Sequence, residues 1–268
     1  MPEGMPQGHA LFFLRRSFVK LQDFFAQNPS GALAFSGGVD SSLLVWAAAA
    51  YGKGWRAYYV HSVFQPAFEL ADARQVAAQC GLPMTVLEVD ILSNVAVAAN
   101  PTDRCYHCKR AIFSRILAQA EADGFTLVID GSNASDDAGG RPGMRALREL
   151  EVRSPLRECS LTKADVRRLS REAGLPTWDK PAYACLATRI PAGTALRPET
   201  LAAVEKAEGA LAAMGFRDFR VRVRDGALVQ VTESQFPLAR ERWADLQAVL
   251  VPLFGKATLD PTSRTPSL

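Results

Sequence analysis

Residues 35–42 read FSGGVDSS and follow the short apolar stretch Ala32–Ala34. Two adjacent glycines disfavour continuation of a buried strand, because glycine loses much conformational entropy on ordering and offers no side chain to pack. The next residues, LLVWAAAA at 43–50, are rich in leucine and alanine, which favour a helix. The stretch is therefore predicted to be a tight strand-to-helix turn, a geometry that often holds anions.

The rest of the chain up to residue 180 repeats this alternation of strand and helix. Short apolar runs, typical of buried parallel strands, are separated by segments with helical periodicity. Such alternation predicts a parallel sheet covered by helices on both faces, with ligands at the carboxyl ends of the strands. Strands are predicted at 31–36, 55–61, 84–90 and 125–131, and helices at 10–27, 41–51, 67–80, 106–122 and 164–173.

The composition changes near residue 176, where a proline-rich stretch with one cysteine and one arginine begins. We interpret it as an ordered loop that joins two domains. The following pattern predicts a small α+β unit with helices at 200–214 and 235–250 and strands at 219–224 and 227–232. The predicted organisation is a Rossmann-like α/β domain over 1–180, a small α+β substrate or oligomerisation domain over 181–260, and a disordered tail over 261–268.

Composition excludes several classes of protein. The 268 residues carry a net charge of +3, which by itself argues neither for nor against nucleic-acid binding, although a dedicated binder usually shows a denser basic patch. No apolar run reaches membrane-spanning length, and the first residues do not resemble a secretion signal. The odd number of cysteines, five, suits a reducing compartment. We expect a soluble cytoplasmic protein that binds neither membrane nor nucleic acid.

The turn matches a known phosphate-binding motif. Its residues Ser36, Gly37, Gly38, Val39, Asp40 and Ser41 fit the SGGxDS pattern of PP-loop ATP pyrophosphatases, which form adenylates and release pyrophosphate. The loop is not a Walker A motif, because no Lys-Ser/Thr follows a G-x-x-x-x-G. These residues, with Ser62 after the next predicted strand, are expected to bind ATP. The alternative is a Gly-Gly turn with an ordinary helix cap.

Three of the cysteines form a second constellation. Cys105 and Cys108 make a C-x-x-C pair in a predicted loop, and Cys185 lies far downstream. Three thiolates fall short of a closed zinc site but suit a [4Fe–4S] cluster with one open iron. They also suit a reactive-thiol site, and the remaining alternative is unrelated buried thiols. Cys80 and Cys159 are interpreted as such buried thiols.

Further polar residues are candidate ligands of phosphate and Mg²⁺. Asp136 and Asp137 are expected to help hold Mg²⁺, or else to form a solvated turn. Arg141 and Arg145 can bind phosphate or an acidic substrate. Alternation along RVRVR at 220–224 places three arginines on one strand face, which predicts a shared anion or an exposed face.

Taken together, these residues resemble the LarE family of PP-loop sulfur transferases. The matching pieces are FSGGVDSSLL, DRCYHCK, DGSNASD, GLPTWDKPAYACLATRIPAG and VRVR, which are spread over residues 32–225. The resemblance implies an enzyme that adenylates carboxyl groups of a nicotinate-derived mononucleotide and converts them to thiocarboxylates for a nickel-pincer cofactor, that of lactate racemase. In some members the sulfur comes from the enzyme's own cysteine, and others are thought to use an iron–sulfur cluster.

The resemblance also implies roles for individual residues. Cys185 is the candidate sulfur-bearing cysteine, and Arg189, Arg220 and Arg222 line the substrate side. Glu208 matches the same part of the family and is a candidate for the base that removes the α-proton. Asp40, in the ATP loop, is the other candidate catalytic residue. The implied cofactors are ATP, Mg²⁺ and, on the cluster route, a [4Fe–4S] cluster held by Cys105, Cys108 and Cys185.

Two other classes of function compete with this one. A tRNA thiolase or another adenylate-forming PP-loop enzyme would use the same loop, although a tRNA enzyme should carry a basic extension. A non-enzymatic, metal-stabilised nucleotide-binding module is the second alternative. On the preferred interpretation the partner is a small-molecule nucleotide substrate, the chain forms a homo-oligomer, and the three cysteines converge on one site facing the ATP loop.

Overall fold

The computed structural model describes residues 20–136 and 142–265, and these form two compact units. The first unit runs to His61 and also contains Ala67–Val89 and Lys109–Lys180. The second contains Ser62–Pro66, Asp90–Cys108 and the chain from Pro181 onward. The sequence-based division assigned 62–66 and 90–108 to the first domain, so it differs from the observed units in these two segments.

A four-stranded parallel sheet forms the centre of the first unit. Its strands are β1 (Ser30–Ala34), β2 (Gly54–His61), β3 (Met84–Glu88) and β4 (Val128–Ile129), in the spatial order β3-β2-β1-β4. The chain moves outward from β1 to β3 and then returns to place β4 on the other side of β1. The order therefore reverses between β1 and β4, and in open parallel sheets ligands bind beside such a reversal.

The helices of the first unit pack around this sheet. Residues 20–27 are helical (α1), and the rest of the helix predicted at 10–27 lies outside the described residues. Helix α2 (Val39–Tyr51) is apolar on all sides and largely buried, as expected for a helix that begins beside a central strand. The other helices, numbered in chain order, are α3 (Ala67–Cys80), α5 (Arg104–Ala122), α6 (Pro142–Glu149), α7 (Pro155–Glu158) and α8 (Lys163–Glu172). The first residues of α5, Arg104–Cys108, belong to the second unit.

The second unit is built on a three-stranded sheet, β5 (Arg220–Arg224), β6 (Gly226–Gln230) and β7 (Ala257–Leu259). Strands β5 and β6 form an antiparallel hairpin, and β7 runs parallel to β6. Its core contains Leu211, Val221, Val229 and Leu246, which come from two helices and the hairpin. Its helices are α4 (Val95–Ala98), α9 (Pro198–Ala213), α10 (Phe236–Glu241) and α11 (Trp243–Phe254).

Several element boundaries differ from the predictions for identifiable reasons. Helix α5 begins at Arg104 rather than at residue 106. Residues 102–105 contain no glycine or proline, so nothing in the sequence prevents the helix from starting there. Consequently the C-x-x-C pair lies in the first turns of a helix, and the prediction of a loop there is wrong. The helix predicted at 235–250 is two helices that meet at Arg242. Strand β7 was not predicted.

The described part of the C-terminal tail is attached to the second sheet. The backbone N–H of Arg264 donates to the Val231 carbonyl at 3.0 Å, and its guanidinium forms an ion pair with Asp218. These bonds extend the pairing beside β6, where the sequence predicted a disordered segment from residue 261. Residues 266–268 lie outside the described residues. Among those that the structure covers, no helix has the length and hydrophobicity needed to cross a membrane.

Candidate active site

The phosphate loop, Ser36–Ser41, connects β1 to α2 in the first unit. Gly37 adopts a positive φ of 74°, which a non-glycine residue would reach only with strain. Gly38 is the N-cap of α2 and, having no side chain, leaves the first N–H groups of the helix without a side-chain cap. N–H groups without a side-chain cap, at the positive end of a helix, form an anion-binding arrangement.

Ser41 fixes the shape of this loop. Its hydroxyl lies 3.1 Å from the hydroxyl of Ser36, donates to the Gly38 carbonyl at 3.2 Å, and accepts the Ser36 backbone N–H at 3.3 Å. The first and last residues of the motif are thereby joined. The two serines required by the motif thus have a structural role that the sequence pattern does not reveal.

Two glycines allow other parts of the first unit to approach the loop. A Cβ on Gly37 would lie 3.1 Å from the Glu69 carbonyl oxygen of α3. A Cβ on Gly131, which follows β4, would lie 3.0 Å from the Ser41 backbone nitrogen. Both contacts are tighter than most Cβ contacts, so a side chain at either glycine would require its neighbour to shift.

Asp40 is the acidic group of the loop, and both of its carboxylate oxygens have partners. Lys163, at the start of α8, donates to one oxygen at 2.5 Å, and the Asn133 side-chain amide donates to the other at 3.0 Å. Sequence analysis missed both partners. Lys163 directly follows the Thr162 cap of α8, which packs Val166 and Leu169 into the core of the first unit. One carboxylate suits an Mg²⁺ ion that arrives on nucleotide phosphates rather than one held by the protein alone.

The other candidate ATP ligands have local partners. The Ser62 hydroxyl donates to the Gln65 side chain at 2.7 Å. The Asp136 carboxylate accepts the Asn133 backbone N–H at 3.0 Å, and Arg145 pairs with Glu149 at 3.5 Å. The two remaining candidates, Asp137 and Arg141, lie outside the described residues.

In the second unit, Arg104 brings two of the three cysteines together. One nitrogen of its guanidinium lies 4.0 Å from the Cys105 sulfur and 3.9 Å from the Cys185 sulfur. The other terminal nitrogen donates to the Asn100 side chain at 2.6 Å and to the Ala187 carbonyl at 3.1 Å. This buried arginine was not among the predicted site residues, although it directly precedes Cys105 in the sequence.

The environment of Cys185 controls the charge of its thiol. Burial raises the pKa of Cys185, and the positive charge of Arg104 opposes that effect. Cys105 is exposed and Cys108 half-buried, and their spacing of three residues on α5 places both on one helix face. Over the described ranges, no group of three or more His, Cys, Asp or Glu side chains is arranged to hold a metal ion. The three-cysteine cluster therefore stays a prediction.

Arg189 and Glu208 form a buried ion pair behind the Cys185 loop. Their side chains are only 1% and 4% exposed, and two N–O distances are both 2.8 Å. Glu208 also accepts the Val221 backbone N–H at 2.9 Å and the hydroxyl of Tyr183. With four hydrogen bonds donated to it, the carboxylate holds Arg189 in place. To accept a proton, Glu208 would have to give up one of these four bonds.

Arg220 and Arg222 project from β5 beside this pair. Arg220 donates to the Ala182 carbonyl at 2.7 Å, and Arg222 donates to the Thr188 carbonyl at 2.9 Å, so both contact the loop that carries Cys185. Burial, together with the charges of Arg189 and Arg264, lowers the pKa of Arg220 to about 10. Burial likewise lowers the pKa of Arg222. A concentration of positive charge at buried positions favours binding of an anion.

The parallel sheet, with a glycine-rich anion loop at its order reversal, defines the class of PP-loop ATP-using enzymes. Comparison with known proteins agrees, because the asparagine synthase family model matches residues 22–254 and the chain therefore belongs to that family. The structure of NMN synthetase from Francisella tularensis has the same fold, with a TM-score of 0.50, 16% identity, and coverage of 63% of this chain and 75% of that one.

Two relatives of similar sequence show to which family of PP-loop enzymes the chain belongs. An uncharacterized protein from Synechocystis is 37% identical over 78% of both chains. Pyridinium-3,5-bisthiocarboxylic acid mononucleotide synthase from Lactiplantibacillus plantarum is 34% identical over 76% of this chain and 75% of that protein. The chain is thus a member of the LarE family of PP-loop sulfur transferases, and it is an ATP-dependent sulfur-transferring enzyme.

Proposed function

We propose that the protein adenylates carboxyl groups of a nicotinate-derived mononucleotide and converts them to thiocarboxylates, a step in building a nickel-pincer cofactor. The similarity to a pyridinium bisthiocarboxylic acid mononucleotide synthase supports this substrate class. The single observation that carries the chemistry is Cys185, which lies beside Arg104 on a loop held by Arg189, Arg220 and Arg222. A sulfur nucleophile among anion-binding groups suits attack on a phosphorylated substrate.

The phosphate loop would carry the first half-reaction. A carboxylate is a poor electrophile, and transfer of AMP from ATP gives it a good leaving group while pyrophosphate departs. The N–H groups at the start of α2 would stabilise the developing charge on the phosphates. Asp40 would turn from Lys163 toward the Mg²⁺ that accompanies the nucleotide, and that ion neutralises charge on the phosphate oxygens.

Sulfur transfer would then use Cys185. Its thiolate attacks the acyl carbon and AMP leaves with the bonding electron pair, which gives a thioester. Removal of the Cys185 α-proton lets the Cβ–S bond break toward sulfur, releasing the thiocarboxylate and leaving dehydroalanine. Arg104 would stabilise the attacking thiolate, because its guanidinium lies 3.9 Å from the sulfur. Glu208 is the proposed base. It would release a hydrogen bond from Arg189 or Tyr183 and accept the α-proton on the oxygen that is freed.

The alternative sulfur source is a [4Fe–4S] cluster held by Cys105, Cys108 and Cys185. Such a cluster would supply the sulfide, and the enzyme would then be catalytic rather than single-use. Cys105 and Cys185, two of the three proposed cluster ligands, both lie near the guanidinium of Arg104, which supports this alternative. The C-x-x-C pair supports this route, because a sacrificial donor alone gives no reason for that pair.

Recognition of the substrate phosphate would fall to Arg220 and Arg222. Their guanidiniums are held by backbone carbonyls, so they are already oriented without a ligand. Such preorganisation reduces the entropy cost of binding. Arg189 would support them by holding the Cys185 loop through the Ala184 carbonyl, to which it donates at 2.6 Å.

The test is to mix the anaerobic protein with ATP, Mg²⁺ and a nicotinate-derived dicarboxylate mononucleotide. We expect pyrophosphate release that depends on the mononucleotide, and a product heavier by the replacement of oxygen by sulfur. Mass spectrometry of the protein then separates the two sulfur sources. Loss of one sulfur from Cys185 after one turnover supports the sacrificial route, whereas many turnovers with intact Cys185 and added iron and sulfide support the cluster. Pyrophosphate release with tRNA instead of the mononucleotide would overturn the proposal in favour of a tRNA thiolase.

A further inference from the structure

Lys180 places a second cation against the phosphate loop, at the opposite end from Lys163. Its ammonium group lies 2.7 Å from a carboxylate oxygen of Asp72 on α3 and 3.4 Å from the carbonyl oxygen of Gly37. Lys180 is separated from Gly37 by 143 positions in the sequence. The contact is therefore a product of the fold and is invisible in the SGGVDS motif itself.

The backbone of Lys180 is fixed, and its side chain is only partly buried. Its N–H donates to the Thr177 carbonyl at 3.1 Å, and its carbonyl accepts a hydrogen bond from Arg167 at 3.0 Å. The side chain passes over the ring of Phe68, with the ammonium nitrogen 5.5 Å from the ring centre. The origin and path of the side chain are thus set, and only its terminal group is free to change partner.

The charged partner of that ammonium group is the Asp72 carboxylate. The Asp72 side chain is 41% exposed and that of Lys180 17% exposed. A single, partly solvated ion pair of this kind contributes little net free energy. A pyrophosphate group carries several negative charges and more acceptor oxygens, so it would compete well for the same ammonium group.

We propose that Lys180 binds the pyrophosphate portion of the nucleotide and that Asp72 holds the lysine when the loop has no anion. This inference rests on the proposed use of ATP at the phosphate loop. On binding, the ammonium group leaves Asp72 and donates to a phosphate oxygen beside Gly37. The fixed backbone limits the movement to the side chain, so the loop gains a preorganised cation without a change of fold.

The experiment measures binding of inorganic pyrophosphate to the whole protein by calorimetry, without turnover. We expect Lys180→Met to weaken the affinity at least tenfold and Lys180→Arg to change it less than threefold, because arginine keeps the charge. Asp72→Asn should bind pyrophosphate as tightly as the wild type or more tightly, because the competing carboxylate is gone. Lys53→Met removes an exposed lysine from a turn of the same unit and is the matched control, with unchanged affinity.

The outcomes separate this inference from the function on which it rests. Tight pyrophosphate binding by the wild type and by Lys180→Met alike would overturn the role of Lys180 and leave ATP use intact. Equal weakening by Asp72→Asn and Lys180→Met would show that the ion pair only supports the fold, and would also overturn it. No binding and no pyrophosphate release by the wild type would overturn both proposals.

Discussion

The phosphate loop and the cysteine–arginine region (Arg104, Cys105, Cys185, Arg189, Glu208, Arg220 and Arg222) are built by different means. The loop is six consecutive residues, and its shape depends on a glycine with positive φ and a serine that bonds back to its first residue. The region collects side chains from separate parts of the chain around buried charges. A short motif therefore specifies the loop, whereas only the complete second unit specifies the region.

The two parts also differ in what holds their charges. Asp40 and Lys163 are both about one quarter exposed, with side-chain exposures of 22% and 26%. Arg189 and Glu208 are almost fully buried. Partly solvated charges can exchange partners at little cost, while a buried pair is strongly destabilised when one member is removed. We therefore expect substitutions in the loop to affect chemistry first, and substitutions in the buried pair to affect folding first.

The largest effect is expected for Asp40→Asn. Asparagine has the same shape as aspartate and can still accept the hydrogen bond from Asn133, but it lacks the negative charge proposed to face Mg²⁺. Pyrophosphate release should fall on the order of 100- to 1000-fold, measured with a coupled phosphate assay. Thermal unfolding should change little, because the lost ion pair with Lys163 is partly solvated. Release at the normal rate would show that the loop is only a turn, and the contrast between the two regions would disappear.

Glu208→Ala should destabilise the second unit by about 3–5 kcal/mol, because it leaves the Arg189 charge buried and unpaired. Denaturant unfolding provides the measurement. The matched control is Glu199→Ala, an exposed acid in the first turn of the same helix, which should cost no more than about 1 kcal/mol. If the two variants unfold alike, the buried pair is not what holds the region.

A double change of Arg220 and Arg222 to alanine should weaken binding of the mononucleotide roughly 10- to 100-fold. ATP affinity should stay within about twofold, since the loop and its partners are unchanged. Arg224→Ala, exposed on the same strand, is the control. Equilibrium binding of each nucleotide, measured separately, checks the result. Equal losses for both nucleotides would contradict a division of labour between loop and region.

The smallest expected effect is a pH shift in the reactivity of Cys185. Burial raises the pKa of this thiol in the folded protein, so the thiolate should form at higher pH than in the unfolded chain. The same difference makes stability fall as pH rises between the unfolded and folded pKa values, because the unfolded thiol loses its proton first. Alkylation by iodoacetamide in iron-free protein, followed residue by residue, gives the midpoint. A midpoint at or below that of the unfolded chain would show that Arg104 outweighs burial.

Much of the first unit could be predicted because its signals are local. Helix α3 has the predicted limits, Ala67–Cys80, since a turn sequence precedes it and Gly81 with positive φ follows it. Strand β4 is shorter than predicted because only Val128 and Ile129 pair with β1. Periodicity shows that a segment is apolar, but it does not show how many of its residues find a partner strand.

The site was predictable only where neighbours in sequence are neighbours in space. Ser36–Ser41 satisfy that condition. Lys163, Asn133 and Gly131 do not, since they reach the loop from other strands and helices. Arg104 is next to Cys105 in the sequence, but its role depends on Cys185, which is 81 positions away. The motif alone therefore does not indicate that role. The ion pair of Arg189 with Glu208 depends on the packing of α9, which the sequence does not state.

The discontinuous make-up of the second unit has a consequence for synthesis of the chain. Asn100, with φ of 54°, donates its side-chain amide to the Pro191 and Thr194 carbonyls at 2.8 and 3.0 Å, and accepts from Arg104. During translation, Asn100 and the C-x-x-C pair are synthesised well before Pro191 and Thr194. Cys105 and Cys108 are therefore synthesised while the second unit is still incomplete. A metal ion or oxidant could react with this pair before Cys185 has been made.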